Sequence, residues 1–319
     1  MVEIFVTIGP VFLLIAVGYA SVRSGLFPAT GIAGLITFVN TFAVPCLLFQ
    51  AMLHVDFESA FDPGYLASFY IGAVVVYAAG ALISRRLFKR RPGEASVIAF
   101  AGYFTNTVLV GLPIIDRAFG EGALPLAYAI IGFHAPLLMS LGTVLSEWSR
   151  RDGEPLGRAF VKITKRILAN PLLIGIALGA AANLSGLGVP AVINDATEML
   201  AIAVLPTALF GLGGALNEYK LRESWAEALV ASVLKLVIHP LCALVLAVFV
   251  FQLPQELARV AVLMAAMPAG LNVYVFAFHY QRCTDVAANT VLISTILSAL
   301  SVSAWLMVLD LISLSSIRL

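Results

Sequence analysis

The chain has 319 residues, 61% of them hydrophobic and only 12% charged, with a mean hydropathy of +0.99 and a formal net charge of +1. No water-soluble globule of this length needs so much apolar sequence, so the class is a polytopic membrane protein, and nothing in the charge points to a nucleic-acid partner. Cys46, Cys242 and Cys283 cannot all pair, and the first two fall inside apolar runs, so no disulfide, metal site or cofactor is expected.

The N-terminal MVEIFVTIGPVFLLIAVGYA lacks a basic leader and a clear cleavage site, and reads as a retained first span rather than a signal peptide. Apolar runs predict ten spans, at about 4–22, 31–52, 64–84, 95–119, 124–146, 169–186, 191–215, 225–252, 257–279 and 286–309. Fifteen of the 19 Lys and Arg fall in the loops after spans 1, 3, 5, 7 and 9, whereas Arg117, Arg259 and Arg318 lie on the other side and Lys235 lies within span 8. Basic loops stay cytoplasmic, which predicts a multi-pass protein of the plasma (bacterial inner) membrane with both termini outside. The loop carrying His54, Asp56, Glu58 and Asp62 then lies outside. The cytoplasmic loop 147–168 sets Phe160, Ile163 and Ile167 opposite Arg158, Lys162 and Arg166, which suits either a helix on anionic membrane lipid or a solvated linker.

Two spans carry helix breakers at mid-depth. Span 4 holds AGYFTNTVLVGLPIIDRAF from Ala101, with Gly111 and Pro113. Pro113 has no N–H for the carbonyl of Leu109 and its ring crowds that turn, at a cost of ~3 kcal/mol or more in a continuous helix. Span 9 holds AVLMAAMPAGLNVYVFAFHY from Ala261, with Pro268, Gly270 and Asn272. At 1.5 Å per residue Asn106 lies roughly 16 Å, and Asn272 roughly 20 Å, into a ~30 Å core. Two broken spans at the midplane predict a site between them.

A register of 161 residues recurs along the chain. Pro10 and Gly18 lie over Pro171 and Gly179, Ser24-Gly25-Leu26 over Ser185-Gly186-Leu187, and VPCLLF at Pro45 over LPTALF at Pro206. Five spans per half is odd, so the halves 1–146 and 169–319 enter the membrane from opposite sides and form one domain of inverted repeats. The broken spans become the fourth of each half and cross, aiming the N-terminal ends of their half-helices, with unpaired N–H groups, at an anion.

Further polar residues bear on the site. His134 is titratable inside the membrane, which suits a coupling or substrate role or a hydrogen bond to a nearby carbonyl. Lys235 and His239 share one face of span 8, with Lys235 near the cytoplasmic end where its amine can snorkel. Asn40, Thr41 and Thr207 either line the cavity from spans 2 and 7 or join helices to one another. Asn289, Thr290, Ser294 and Ser298 form a stripe expected to face the bundle interior, and Gly175 and Gly179, with the glycines of span 7, suit close packing, including a homodimer through these helices.

NTVLVGLPII from Asn106 and RVAVLMAAMPAGLNVYVFAFHY from Arg259 resemble the auxin efflux carrier family, which includes bacterial organic-acid permeases, and the resemblance runs over the whole chain. It implies a crossover fold like that of the sodium-coupled bile acid transporters, an all-α membrane domain with spans 1, 2, 6 and 7 as scaffold and the other six as an elevator-type moving body. It also makes Asn106 the crossover asparagine and Pro268 with Gly270 the matching break, with Thr105, Thr107 and Asn272 beside them. Plant members place a proline before that asparagine, whereas Thr105 stands here, so a small mono- or dicarboxylate is the expected substrate rather than an indole acid. Without a GxxxxGK[ST] motif, a carrier driven by a proton or sodium gradient is expected. An intramembrane enzyme lacks HExxH or paired buried aspartates, and an anion channel would need a continuous polar pore.

Overall fold

The computed structural model describes residues 2–55, 62–150, 170–186, 188–218 and 224–316. Asp56, Glu58 and the amphipathic pattern from Arg158 to Ile167 lie outside the described residues. Among the described residues the secondary structure is helical apart from one isolated bridge. The helices are α1 (Val2–Arg23), α2 (Ala29–His54), α3 (Pro63–Arg86), α4 (Pro92–Tyr103), α5 (Leu112–Phe119), α6 (Leu124–Arg150), α7 (Pro171–Ser185), α8 (Ala191–Glu218), α9 (Trp225–Val250), α10 (Gln255–Ala265), α11 (Asn272–Tyr280) and α12 (Thr284–Ser316). Seven of them, α1, α2, α3, α6, α8, α9 and α12, are long and apolar enough to cross a membrane. Their large exposed side chains, such as Leu13, Val74, Phe249 and Leu300, are apolar, as an outer surface in contact with lipid requires. All three cysteines are free.

Proline shapes several helices locally. Three of the four wide π turns among the described residues, Val39–Ala43, Thr107–Gly111 and Leu234–Ile238, stand two residues ahead of a proline, Pro45, Pro113 and Pro240, whereas the fourth, Leu246–Val250, does not. A proline ring crowds the carbonyl four residues back, and widening that turn relieves the crowding without ending the helix. The carbonyl freed behind Pro240, that of Leu236, accepts a bond from Trp305 Nε1 at 2.9 Å. Side chains also cap helix starts, with Asp62 accepting from the N–H of Tyr65 and Asn170 from that of Leu172.

Helix α1 packs along α8, and α7 along α2. At the two contacts the backbones nearly touch: a methyl group on Gly18 would strike the carbonyl of Phe210, and one on Gly179 that of Phe49. Residues 18 and 179, like 49 and 210, stand one 161-residue register apart, so the two contacts fall at matching positions of that register. The remaining large helices gather α4 against α3 and α6, α9 against α12 and α4, and α10 against α9 and α3. At the loop end of that group Arg90 forks onto Glu227, Nε to Oε1 at 2.8 Å and Nη2 to Oε2 at 2.9 Å, and this pairing raises the affinity of the guanidinium for its proton. The stripe of Asn289, Thr290, Ser294 and Ser298 faces the interior, fully buried.

The glycine contacts set the first test. Gly179→Val should cost on the order of 1–3 kcal/mol through overpacking and lower the melting temperature of detergent-solubilised protein. Gly34→Val, at a position with no atom within 4 Å of an added methyl group, should leave it unchanged. Equal melting temperatures for the two variants would refute the close contact.

Candidate functional site

Neither of the two proline-bearing runs is one helix. α4 stops at Tyr103, the chain runs extended through Phe104, Asn106 caps the π turn Thr107–Gly111, and α5 follows. The interruption thus falls ahead of Pro113, which was expected to cause it. Pro113 sits in the first turn of α5, which continues directly from the π turn that Gly111 closes, Leu112 N–H bonding back to the carbonyl of Thr107. In the second run α10 stops at Ala265 and α11 starts at Asn272, with Pro268 and Gly270 inside the gap.

The two gaps pair with each other. Asn106 N–H donates to the Pro268 carbonyl at 2.8 Å, Gly270 N–H donates to the Phe104 carbonyl at 3.1 Å, and Thr105 and Ala269 face each other as an antiparallel bridge. Ala269 N–H goes to Ser294 Oγ at 3.1 Å, so one member of the α12 stripe supports the gap. Thr105 N–H donates to His134 Nε2 at 3.2 Å. An imidazole nitrogen that accepts from an amide carries no proton, so His134 is neutral in this arrangement, with its proton on Nδ1.

Several polar atoms are left over. Asn106 Oδ1 accepts from Leu109 N–H at 3.2 Å, but Asn106 Nδ2, Thr105 Oγ1 and His134 Nδ1 are buried with no hydrogen-bond partner. Unsatisfied buried polar atoms are rare and costly, about 1–3 kcal/mol each. These three residues line a cavity of about 60 Å³, together with Asn40, Thr107, Gly270 and Asn272, with Phe104, Ile131 and Leu172 among its apolar walls. The starts of the π turn and of α11 both border it, with Leu109 N–H held by Asn106 Oδ1 and the N–H groups of Val273 and Tyr274 held by the carbonyls of Gly270 and Leu271.

Of the residues singled out from sequence, Asn40 alone reaches the cavity from α2. Thr41 is exposed in the same π turn, Thr207 is half-buried in α8, and neither borders the cavity; Pro268 contributes its carbonyl to the gap rather than a wall. Lys235 does not snorkel. It is fully buried, with Nζ 2.6 Å from the carbonyl of Ala265 and 3.0 Å from His239 Nδ1, and this placement overturns the reading from its position near a span end. The signal for it was present in the sequence as the Lys235 and His239 pair one turn apart, but its depth depended on where α10 stops.

These features define a multi-pass membrane protein in which three residues with unpartnered buried polar atoms, Thr105, Asn106 and His134, line one small cavity between two interrupted helices. The chain belongs to the membrane transport protein family, whose model matches residues 3–306. It is 26% identical over 306 residues to a protein of Rhizobium meliloti named "Putative malonate transporter", with 96% of each chain covered. It is 22% identical over 355 residues to auxin efflux carrier component 8 of Arabidopsis thaliana, covering 95% of this chain and 96% of that one. The transporter YfdV of Escherichia coli is 24% identical over 311 residues, at 95% and 97% coverage. The auxin-carrier resemblance of the two motifs therefore extends to the chain as a whole, and the protein is a transporter, not an enzyme.

The His134 contact is open to test through stability. His134→Phe removes the only acceptor for a buried amide, that of Thr105, and should destabilise the protein by about 1–3 kcal/mol, read as a fall in melting temperature. His134→Gln, which offers an amide oxygen in place of Nε2, should recover much of that loss. Full stability of the phenylalanine variant would mean that the Thr105 amide has another partner.

Proposed function

We propose that the protein is a secondary carrier for a small organic anion, a mono- or dicarboxylate, moved by elevator-type alternating access. The observation that carries this reading is that three residues with unpartnered donors, at Asn106 Nδ2, Thr105 Oγ1 and His134 Nδ1, line one cavity at the paired gaps. A carboxylate offers acceptors and no donors, so it complements such a set. Neutral donors contribute ~0.5–1.5 kcal/mol net each, and more to an ionised acceptor. With two helix N-termini beside them they support an affinity on the order of micromolar to millimolar. The malonate name of the Rhizobium relative agrees with this chemistry.

In the same reading the chain is one domain of ten spans, two inverted five-helix repeats with the fourth and ninth spans crossing. The 161-residue register repeated in the Gly18 and Gly179 contacts supports the repeat, and the mutual pairing of the gaps supports the crossing. α1, α2, α7 and α8 form the scaffold and carry any homodimer contact, the other helices form the moving body, and Asn40 meets the substrate from the scaffold side. The distribution of basic residues supports a location in the bacterial inner membrane with both termini outside.

Two measurements test these statements. Asn106→Asp keeps the Oδ1 cap on the π turn and removes the Nδ2 donor, so it should retain folding and lose malonate binding by about 10-fold or more, as expected when a donor facing a charged acceptor becomes a second anion. Wild-type protein should bind malonate and not its diamide, and proteoliposomes should show saturable uptake with counterflow. Equal binding of acid and diamide would end the anion-site reading. For orientation, single cysteines at Gly64 and Gly188 should be labelled by an impermeant maleimide from outside and one at Gly153 should not. The native Cys283 should stay unlabelled because burial pushes its thiol up to about 12. Labelling only at 153 would invert the topology.

A further inference from the structure

Behind the paired gaps lies a group of bases with no acid among them. Lys235 Nζ donates to the carbonyl of Ala265, the last residue of α10, at 2.6 Å and stands 3.0 Å from His239 Nδ1. His239 Nε2 lies 3.0 Å from the carbonyl of Phe69, which only accepts, so Nε2 carries the ring proton and Nδ1 faces the lysine as an acceptor. The ring of Phe69 is in contact with both His239, at 4.8 Å between centroids, and His134, at 5.8 Å, and so bridges the pair to the cavity wall. All three bases are buried, Lys235 and His239 completely.

Among the described residues, the helices packed around this group bring no counter-charge to it. From α3 come Tyr65 and Tyr70, whose hydroxyls donate to the carbonyls of Leu126 and Ile130, and from α4 comes Tyr103, bonded to the carbonyl of Leu138. The carboxylates of α4, α9 and α12 lie at helix ends and are engaged there, Glu94 with the N–H of Arg91, Glu227 with Arg90, Asp285 with Ser224 and Asp310 with Arg259. Glu256 and Arg259 sit toward the start of α10, away from Ala265. The group therefore has proton-accepting capacity in excess of any negative charge near it, until an anion enters the cavity that His134 lines.

We infer that carboxylate binding in the cavity is coupled to uptake of one proton by the buried Lys235–His239 pair, making the proton and not sodium the coupling ion. The inference rests on the carboxylate-carrier reading. The substrate supplies the negative charge that the cluster lacks, and the proton is shared between Nζ and Nδ1, where an ammonium finds two acceptors, the imidazole and the C-terminal carbonyl of α10. Carbonyls at the C-terminal end of a broken helix are also what coordinates a metal cation in sodium-coupled carriers. Here the lysine already holds one of them.

The test is calorimetric titration of malonate into purified wild-type protein in buffers of different ionisation enthalpy between pH 7 and 9, with sodium or choline as the salt cation. Linkage requires proton uptake wherever binding raises the proton affinity of a group that is not already saturated. About one proton taken up per malonate at some pH in this range, unchanged by choline, is the expected result. Binding with no proton uptake at any of these pH values, or binding that disappears in choline, overturns the inference while leaving the carrier intact. Lys235→Met should bind malonate without proton uptake, and a variant that keeps the wild-type uptake also overturns the assignment. If that variant does not fold, the wild-type arms decide the matter alone. Failure of wild-type protein to bind any carboxylate is a different outcome, which removes the proposed function itself.

Discussion

Two hydrogen bonds between interrupted helices, Asn106 N–H to Pro268 and Gly270 N–H to Phe104, hold the arrangement on which the rest of the molecule depends. In an apolar interior a helix that stops leaves amides and carbonyls with no water to receive them. Each gap here supplies donors and acceptors to the other, so neither is stable alone. His134, Ser294 and Lys235 take three further backbone groups, those of Thr105, Ala269 and Ala265, from three different helices. The polar residues buried in this protein serve first to make a broken backbone tolerable inside a membrane. The binding capacity proposed for the site is what remains after that requirement is met.

Much of this was legible in the sequence because membrane helices are long apolar runs bounded by charge and proline, and a ~30 Å core fixes their length. The helix ends observed lie within a few residues of those expected for most runs, as with α3 at Pro63–Arg86 against 64–84 and α9 at Trp225–Val250 against 225–252. The two interrupted runs were also visible, since a proline at mid-depth has few tolerable structural settings. Where the interruption falls was not. Pro113 is accommodated by a wide turn that runs on into α5, and the gap moves to Phe104–Asn106, where the partners are found. Those partners belong to residues more than 160 positions away, which no local pattern can name.

The same limit explains the cavity. Asn106, Thr105, Thr107 and Asn272 sit beside the gaps and reach it by proximity along the chain, whereas Asn40 and Thr41 are adjacent in sequence and only the first borders it. Which of two neighbouring side chains points inward in a π turn depends on packing against other helices. Lys235 failed as a reading for a related reason: a lysine near the end of an apolar run ordinarily reaches water, but the carbonyl of Ala265 and the imidazole of His239 offer it partners in the interior.

The π turns have a geometric consequence for the helices that contain them. A π turn takes one residue more than an α turn, so every side chain beyond it stands roughly 100° around the axis from where an unbroken α-helix would set it. In α2 and α9 the faces before and after the turn are therefore different stripes of the sequence, and a polar residue at the turn, Asn40 in one and Lys235 in the other, marks the changeover. Loss of a single residue from Val39–Ala43 or Leu234–Ile238 would leave the composition of the span almost untouched and yet rotate its whole following half toward other neighbours. Chain length at these two turns is thus under tighter constraint than the identity of most residues that flank them.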